Sequence, residues 1–201
     1  MALRLVEELR RDSLMGIRFR AGRTWVGGEA YGTIACAIER GHIHVRCEGS
    51  SVGDACYSFT ETETLDANTL YLPIGVDFDD LFRMGLVLHE CTHAIQDYQR
   101  QTLGVIEAEC AAYVAQASFF LVHGTTWEAV TREARLARHR SPTNPPMDRL
   151  ITRSTTIATR VMHHRSEATL TESEMASLGE AISALPTYSD RVTESSTFDG
   201  L

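Results

Sequence analysis

The sequence predicts an α+β fold, a small and mostly antiparallel N-terminal sheet followed by a series of helices. Three observations carry that expectation. Residues 24–72 contain short runs rich in β-branched and aromatic residues, broken by glycines. Met84–Ile95 and Val105–Val122 are long, nearly all-apolar stretches, too long for strands. The first of these stretches contains His89-Glu90-Cys91-Thr92-His93, a spacing that places the two histidines on one face of a helix, one turn above each other.

In chain order, residues 3–15 read as a helix with Leu3, Val6, Leu9 and Leu14 as its apolar stripe, ended by Gly16. Thr24–Val26, Tyr31–Ile38 and His42–Cys47 read as strands. Gly27-Gly28 separates the first two, and Arg40-Gly41 is a tight turn joining the others into a hairpin. Gly49–Asp54 is a loop, and Tyr57–Thr60 and Thr69–Leu72 are further short strands, the last stopped by Pro73. Asp77 is the expected cap of the His-Glu-x-x-His helix, which runs to Tyr98 or Gln99. A turn at Arg100–Gly104 leads into a helix over Val105–Val122, and Thr125–Arg138 forms an amphipathic one. Ser141-Pro142-Thr143-Asn144-Pro145-Pro146 is a linker. Helices over Met147–His163 and Thr171–Leu185 follow, then a polar tail from Pro186, loose at its end. This divides the chain into a core over 1–140 and a helical extension over 141–201, packed together as one domain.

At 201 residues and 43% hydrophobic, the chain can bury a sizeable core. Its net charge of −8 argues against a nucleic-acid partner, because no basic field would attract phosphates. No run of 18 apolar residues suggests a membrane span, and the N-terminus lacks the apolar centre of a secretion signal. The five cysteines, 36, 47, 56, 91 and 110, form no C-x-x-C pair. That pattern fits reduced thiols in a cytoplasm, or export by a route without a signal peptide, in which case Cys47 and Cys56 are placed to link. All 19 basic residues are Arg, and Asn occurs only at Asn68 and Asn144. Such usage fits a high-GC genome; it also fits a toxin that avoids modification at Lys.

On a helix, His89 and His93 lie one turn apart and can hold one metal ion between two imidazoles. Glu90, rotated by about 100°, suits a base acting on a metal-bound water. A catalytic zinc takes three protein ligands and one open position. Glu107 and Glu109 are the candidates for the third, being carboxylates in an apolar run. Two apart on a helix, they face nearly opposite ways, so one at most reaches the metal. Glu109 and His93 lie about equally far from the intervening turn, which leans towards Glu109. Glu107, in the first helical turn, also suits a capping role.

The run His89-Glu90-Cys91-Thr92-His93-Ala94-Ile95-Gln96, followed by Glu107-Ala108-Glu109-Cys110-Ala111-Ala112-Tyr113, resembles the gluzincin metallopeptidases, especially the compact minigluzincins, over roughly residues 24 to 123. The resemblance implies a zincin-like fold and a zinc-dependent peptidase acting on a peptide or protein. It makes His89, His93 and Glu109 the metal ligands and Glu90 the general base. It also implies that Thr69-Leu70-Tyr71-Leu72 is the edge strand that holds the substrate backbone. The sixteen positions from His93 to Glu109 are short for that group. Tyr188 is a candidate oxyanion donor, and Tyr113 and Asp97 are candidates to hydrogen-bond a ligand. His42, His44, His163 and His164 read as surface residues, and Cys91 and Cys110 as core. Two rival readings use the same residues: a degenerate zincin that binds metal or a partner without catalysis, and an effector protease aimed at one host protein.

Overall fold

A computed structural model of the protein describes residues 1–48, 55–137, 144–164, 168–189 and 195–197. The expected loop at Gly49–Asp54, Arg138, the first three residues of the linker and the end of the tail lie outside them. The α+β class holds, but the single antiparallel sheet does not. Three small sheets take its place, with strand orders β2-β1-β7, β3-β5-β4 and β6-β8.

The N-terminal helix stops early. α1 spans Ala2–Leu9, and a separate 3-10 turn spans Asp12–Gly16. Leu5, Val6, Leu9 and Leu14 are buried, whereas Leu3 is 77% exposed, so the apolar stripe runs through Leu5 instead. β1 (Arg18–Ala21), not expected from the sequence, pairs antiparallel with β2 (Thr24–Gly27).

The largest departure is at Tyr31–Ile38. These residues lie in α2 (Gly28–Glu39), not in a strand. Tyr31, Ile34, Ala35 and Ile38 are buried, and their spacing is the helical one of three and four, not the strand period of two. Gly41, with φ +72°, follows the end of this helix instead of turning a hairpin. β3 (His44–Glu48) therefore finds a parallel partner in β5 (Thr69–Pro73). β4 (Cys56–Ser58) pairs antiparallel with the other side of β5. Thr69–Leu72 is thus central and bonded on both sides, and β3 and β4 are the edge strands.

α3 (Leu81–Tyr98) carries the His-Glu-x-x-His run. Its cap is Asp80, whose Oδ1 accepts from the backbone N–H groups of Phe82 and Arg83, while Asp77 accepts from Asp79 N–H just upstream. The connector is more than a turn. Arg100 has φ +53°, and β6 (Thr102–Gly104) pairs antiparallel with β8 (Ser195–Thr197) from the tail.

α4 (Val105–Val122) is apolar on all sides and long enough to cross a membrane by composition, yet most of it is buried in protein. It packs against α3, α5 (Trp127–Ala137), α6 (Pro145–His163) and α7 (Glu172–Ser183). Pro145 and Pro146 open α6, where a missing N–H costs nothing. Thr171 and Glu174 form a capping box on α7. β7 (Ala168–Thr169), just before α7, adds parallel to β1.

α3 and α4 run antiparallel. His93 meets Glu109, His89 meets Glu109 and Tyr113, and Gly85 meets Phe120, so contacts climb α4 as they descend α3. Gly85 lets the helices close: a Cβ there would lie 2.5 Å from the Phe120 ring. Behind α3, the Tyr31 hydroxyl of α2 hydrogen-bonds Thr92 Oγ1 at 2.9 Å, and Thr92 in turn donates to Leu88 O.

Candidate metal centre

The antiparallel α3–α4 pair brings three side chains together. His89 Nε2 lies 3.1 Å from Glu109 Oε2, and His93 Nε2 lies 3.5 Å from Glu109 Oε1. The histidine rings are 5.1 Å apart, as one helical turn requires. One ligand atom from each of His89, His93 and Glu109 falls within 4.8 Å of the others, and the group can hold a metal ion. Glu107 is not part of it. Its carboxylate is turned towards Gly22 in the β1–β2 turn, where an added Cβ would lie 2.6 Å from Oε1. His42, His44, His163 and His164 are exposed. Cys91 and Cys110 are core residues, and all five cysteines are free, so Cys47 and Cys56 are not linked.

Two of the ligand candidates are held from outside the group. His93 Nδ1 hydrogen-bonds Gln96 Oε1 at 2.9 Å, and Gln96 Nε2 donates to Ala108 O at 3.0 Å. Gln96 is fully buried. In a neutral, metal-binding ring it would keep the proton on Nδ1 and leave Nε2, on the Glu109 side, as the lone-pair nitrogen. His89 Nδ1 is buried without a hydrogen-bond partner among the described residues, so beyond its contact with Glu109 that ring is oriented by packing. Tyr113 supplies the packing, edge-on at 4.6 Å, and is itself stacked on Trp127.

Glu90 stands beside the group. Its Oε2 accepts the backbone N–H of Tyr57, on β4, at 2.9 Å. The Tyr57 hydroxyl donates to Asp97 Oδ2 at 2.7 Å. One residue of this edge strand is thereby fastened to α3 at two points two turns apart. Asp97 is fully buried; it anchors this strand rather than facing solvent. On the opposite side, the Tyr188 hydroxyl approaches that of Tyr113 at 3.4 Å.

The charges are strongly coupled. Burial alone would push the Glu109 carboxyl up, but the imidazoles of His93 and His89 overcome it and hold the group well below the usual carboxylate range. Burial would lower His93, yet Glu109, with help from Glu90 and Gln96, raises it to about 9. Without metal the centre is therefore an imidazolium–carboxylate pair. Burial raises the Glu90 carboxyl, and Glu109 adds to the effect. Tyr113 and Tyr188 are also raised, first by burial and then by Glu109.

The strand at Tyr57 was expected from the sequence, but the roles of Gln96, of Tyr57 and of β4 beside the candidate centre were not. Gln96 had a readable signal, since it is a polar residue one turn beyond His93 in a buried helix. Tyr57 had none, because its contact with Glu90 is made by a backbone N–H. No protein-family model, no curated protein and no solved structure matches this chain.

Proposed function

We propose that this protein is a zinc-dependent hydrolase that cleaves peptide bonds, with His89, His93 and Glu109 as metal ligands and Glu90 as general base. The observation that carries the reading is the placing of one carboxylate between two imidazoles, with a second carboxylate beside them. Two ligands about 2.1 Å from a tetrahedral ion stand about 3.4 Å apart. The 3.1 and 3.5 Å separations between the imidazoles and Glu109 fit that spacing. Two histidines and a glutamate leave a fourth position open, as catalytic zinc requires.

Bound zinc would supply a water of lowered pKa and polarise a substrate carbonyl. The remaining steps fall to the chain's own residues. The Tyr57 N–H holds Glu90 Oε2, leaving Oε1 to take a proton from that water and deliver it to the leaving amine. Burial raises the Glu90 pKa, which brings its basicity closer to neutral pH. The Tyr188 hydroxyl lies beside Glu109; it is suited to hydrogen-bond an oxyanion. Among the described residues β4 pairs with β5 on one side only, and such an edge accepts an extended peptide by strand addition.

Glu90→Gln tests the reading. The variant should bind zinc as the parent does and lose peptide hydrolysis by the roughly 10²–10⁴-fold typical of general-base removal, or more. Zinc content by elemental analysis and cleavage of a mixed peptide library are the readouts. Zinc binding without hydrolysis in the parent would favour a degenerate zincin. Equal hydrolysis by parent and variant would exclude Glu90 as the base.

A further inference from the structure

A second site lies on the other side of α4. A groove of about 570 Å³ runs between the first turns of α4 and α7 and the β1–β2 turn. That size falls in the range of small-molecule sites, roughly 300–1,000 Å³. Ile106, Leu170 and Met175 give it apolar walls, and Glu107 and Glu172 are the charged residues that line it. Among the described residues no Arg or His lines it. The Glu107 carboxylate has a defined place, over Gly22. Gly22 has φ +56°, in the left-handed region that favours glycine, and a side chain there would collide with Glu107.

Both carboxylates sit in first helical turns. Each helix terminus offsets about half a charge, so two carboxylates leave the groove negative by about one. An apolar cleft with a net negative end complements an apolar body that carries one positive charge. A carboxylate-bearing ligand would meet two like charges. A neutral ligand would gain only burial.

We propose that this groove binds a small molecule with an apolar stem and one cationic nitrogen, the nitrogen at Glu107 and the stem along Ile106, Leu170 and Met175. The site is distinct from the metal centre, because Glu107 and Glu109 leave α4 in nearly opposite directions.

Calorimetric titration of the whole protein with n-octylamine, octanoate and 1-octanol at neutral pH tests this. Octylamine should bind, and octanoate should bind at least tenfold more weakly. Glu107→Gln should reduce octylamine affinity about tenfold, to the level of octanol, the loss expected for a charge-assisted hydrogen bond. The same variant should titrate with zinc as the parent does, which also shows that it is folded. Ala176→Trp, at an exposed wall position, should weaken all three probes by filling the groove. Equal affinity for octylamine and octanoate, no response to Glu107→Gln, or no octylamine binding overturns the proposal. Binding of an acetylated Leu-Lys-Leu amide in place of octylamine overturns the small-molecule assignment in favour of a protein side chain.

Discussion

Gln96 joins the two halves of the metal centre, with one end on His93 and the other on the carbonyl that precedes Glu109. Removing it frees a ligand ring and leaves Ala108 O with one bond fewer. Gln96→Leu should therefore weaken zinc binding about 10–100-fold, the usual effect of losing a group that orients a ligand. Gln96→Glu, which still accepts from Nδ1–H, should retain most of the affinity. Competition titration with a zinc chelator separates the two, and equal losses would remove Gln96 from this role. The two glutamates of α4 divide more sharply. Glu109→Ala should lower zinc affinity by more than any Gln96 variant, while Glu107→Ala should leave it nearly intact. Isothermal titration of both checks this, and zinc loss in Glu107→Ala would reverse the ligand assignment. Glu109 was legible in the sequence because a helical hairpin relates residues by their distance from the turn. Gln96 was overlooked in favour of Asp97, one position on, and that single step separates a ligand's partner from an anchor for Tyr57.

The helices that carry the candidate ligands were the most legible elements, because their long, mostly apolar runs exceed the length of a strand. α2 was misread for a physical reason. Tyr31, Thr33, Ile34 and Ile38 have strand propensity, which is weaker than the burial of one helical face against α3, where Tyr31 reaches Thr92. β6, β7 and β8 have three residues or fewer and pair with segments distant in the chain, so nothing local announces them. The close approach of α3 and α4 was also invisible in the sequence, where Gly85 reads as a flaw in a helix. Its replacement is a direct test. Gly85→Ala would gain about 1 kcal/mol in helix propensity, but its Cβ would meet Phe120, which is fully buried and has no room to move. Overpacking of that kind costs about 1–3 kcal/mol. Net destabilisation in urea unfolding, with an unchanged m-value, is the expected result. A more stable variant would mean that the helices separate easily.

The metal centre also sets how the whole molecule responds to pH. His93 is raised from 6.5 to about 9 in the folded protein. Its contribution to stability is full below pH 6.5 and is lost as pH rises through 9. Glu109 is lowered from 4.5, so its contribution is full above pH 4.5 and is lost as pH falls through its folded value. Glu90, raised by burial, adds a penalty once it ionises. Metal-free protein should thus be most stable between about pH 4.5 and 6.5, within the interval the two shifts define, and weaken towards pH 9. Zinc bound as proposed would take the place of the His93 proton, so zinc-loaded protein should gain stability over the same rise. Thermal melts across pH, with chelator and with zinc, check the sign. Parallel curves would mean that the imidazoles do not hold the metal.

The contact between Tyr188 and Tyr113 has a consequence for the order of events during synthesis. Tyr113 leaves the ribosome shortly after Glu109, whereas Tyr188 follows Glu109 by 79 residues. At roughly 5–20 residues per second, that is a delay of about 4–16 s. Throughout it the nascent chain already carries both histidines and the glutamate, with nothing from its C-terminal part beside them. On the proposed zinc-binding reading, the cradle is therefore open to the ion while translation is still under way, before Tyr188 comes to lie beside Tyr113.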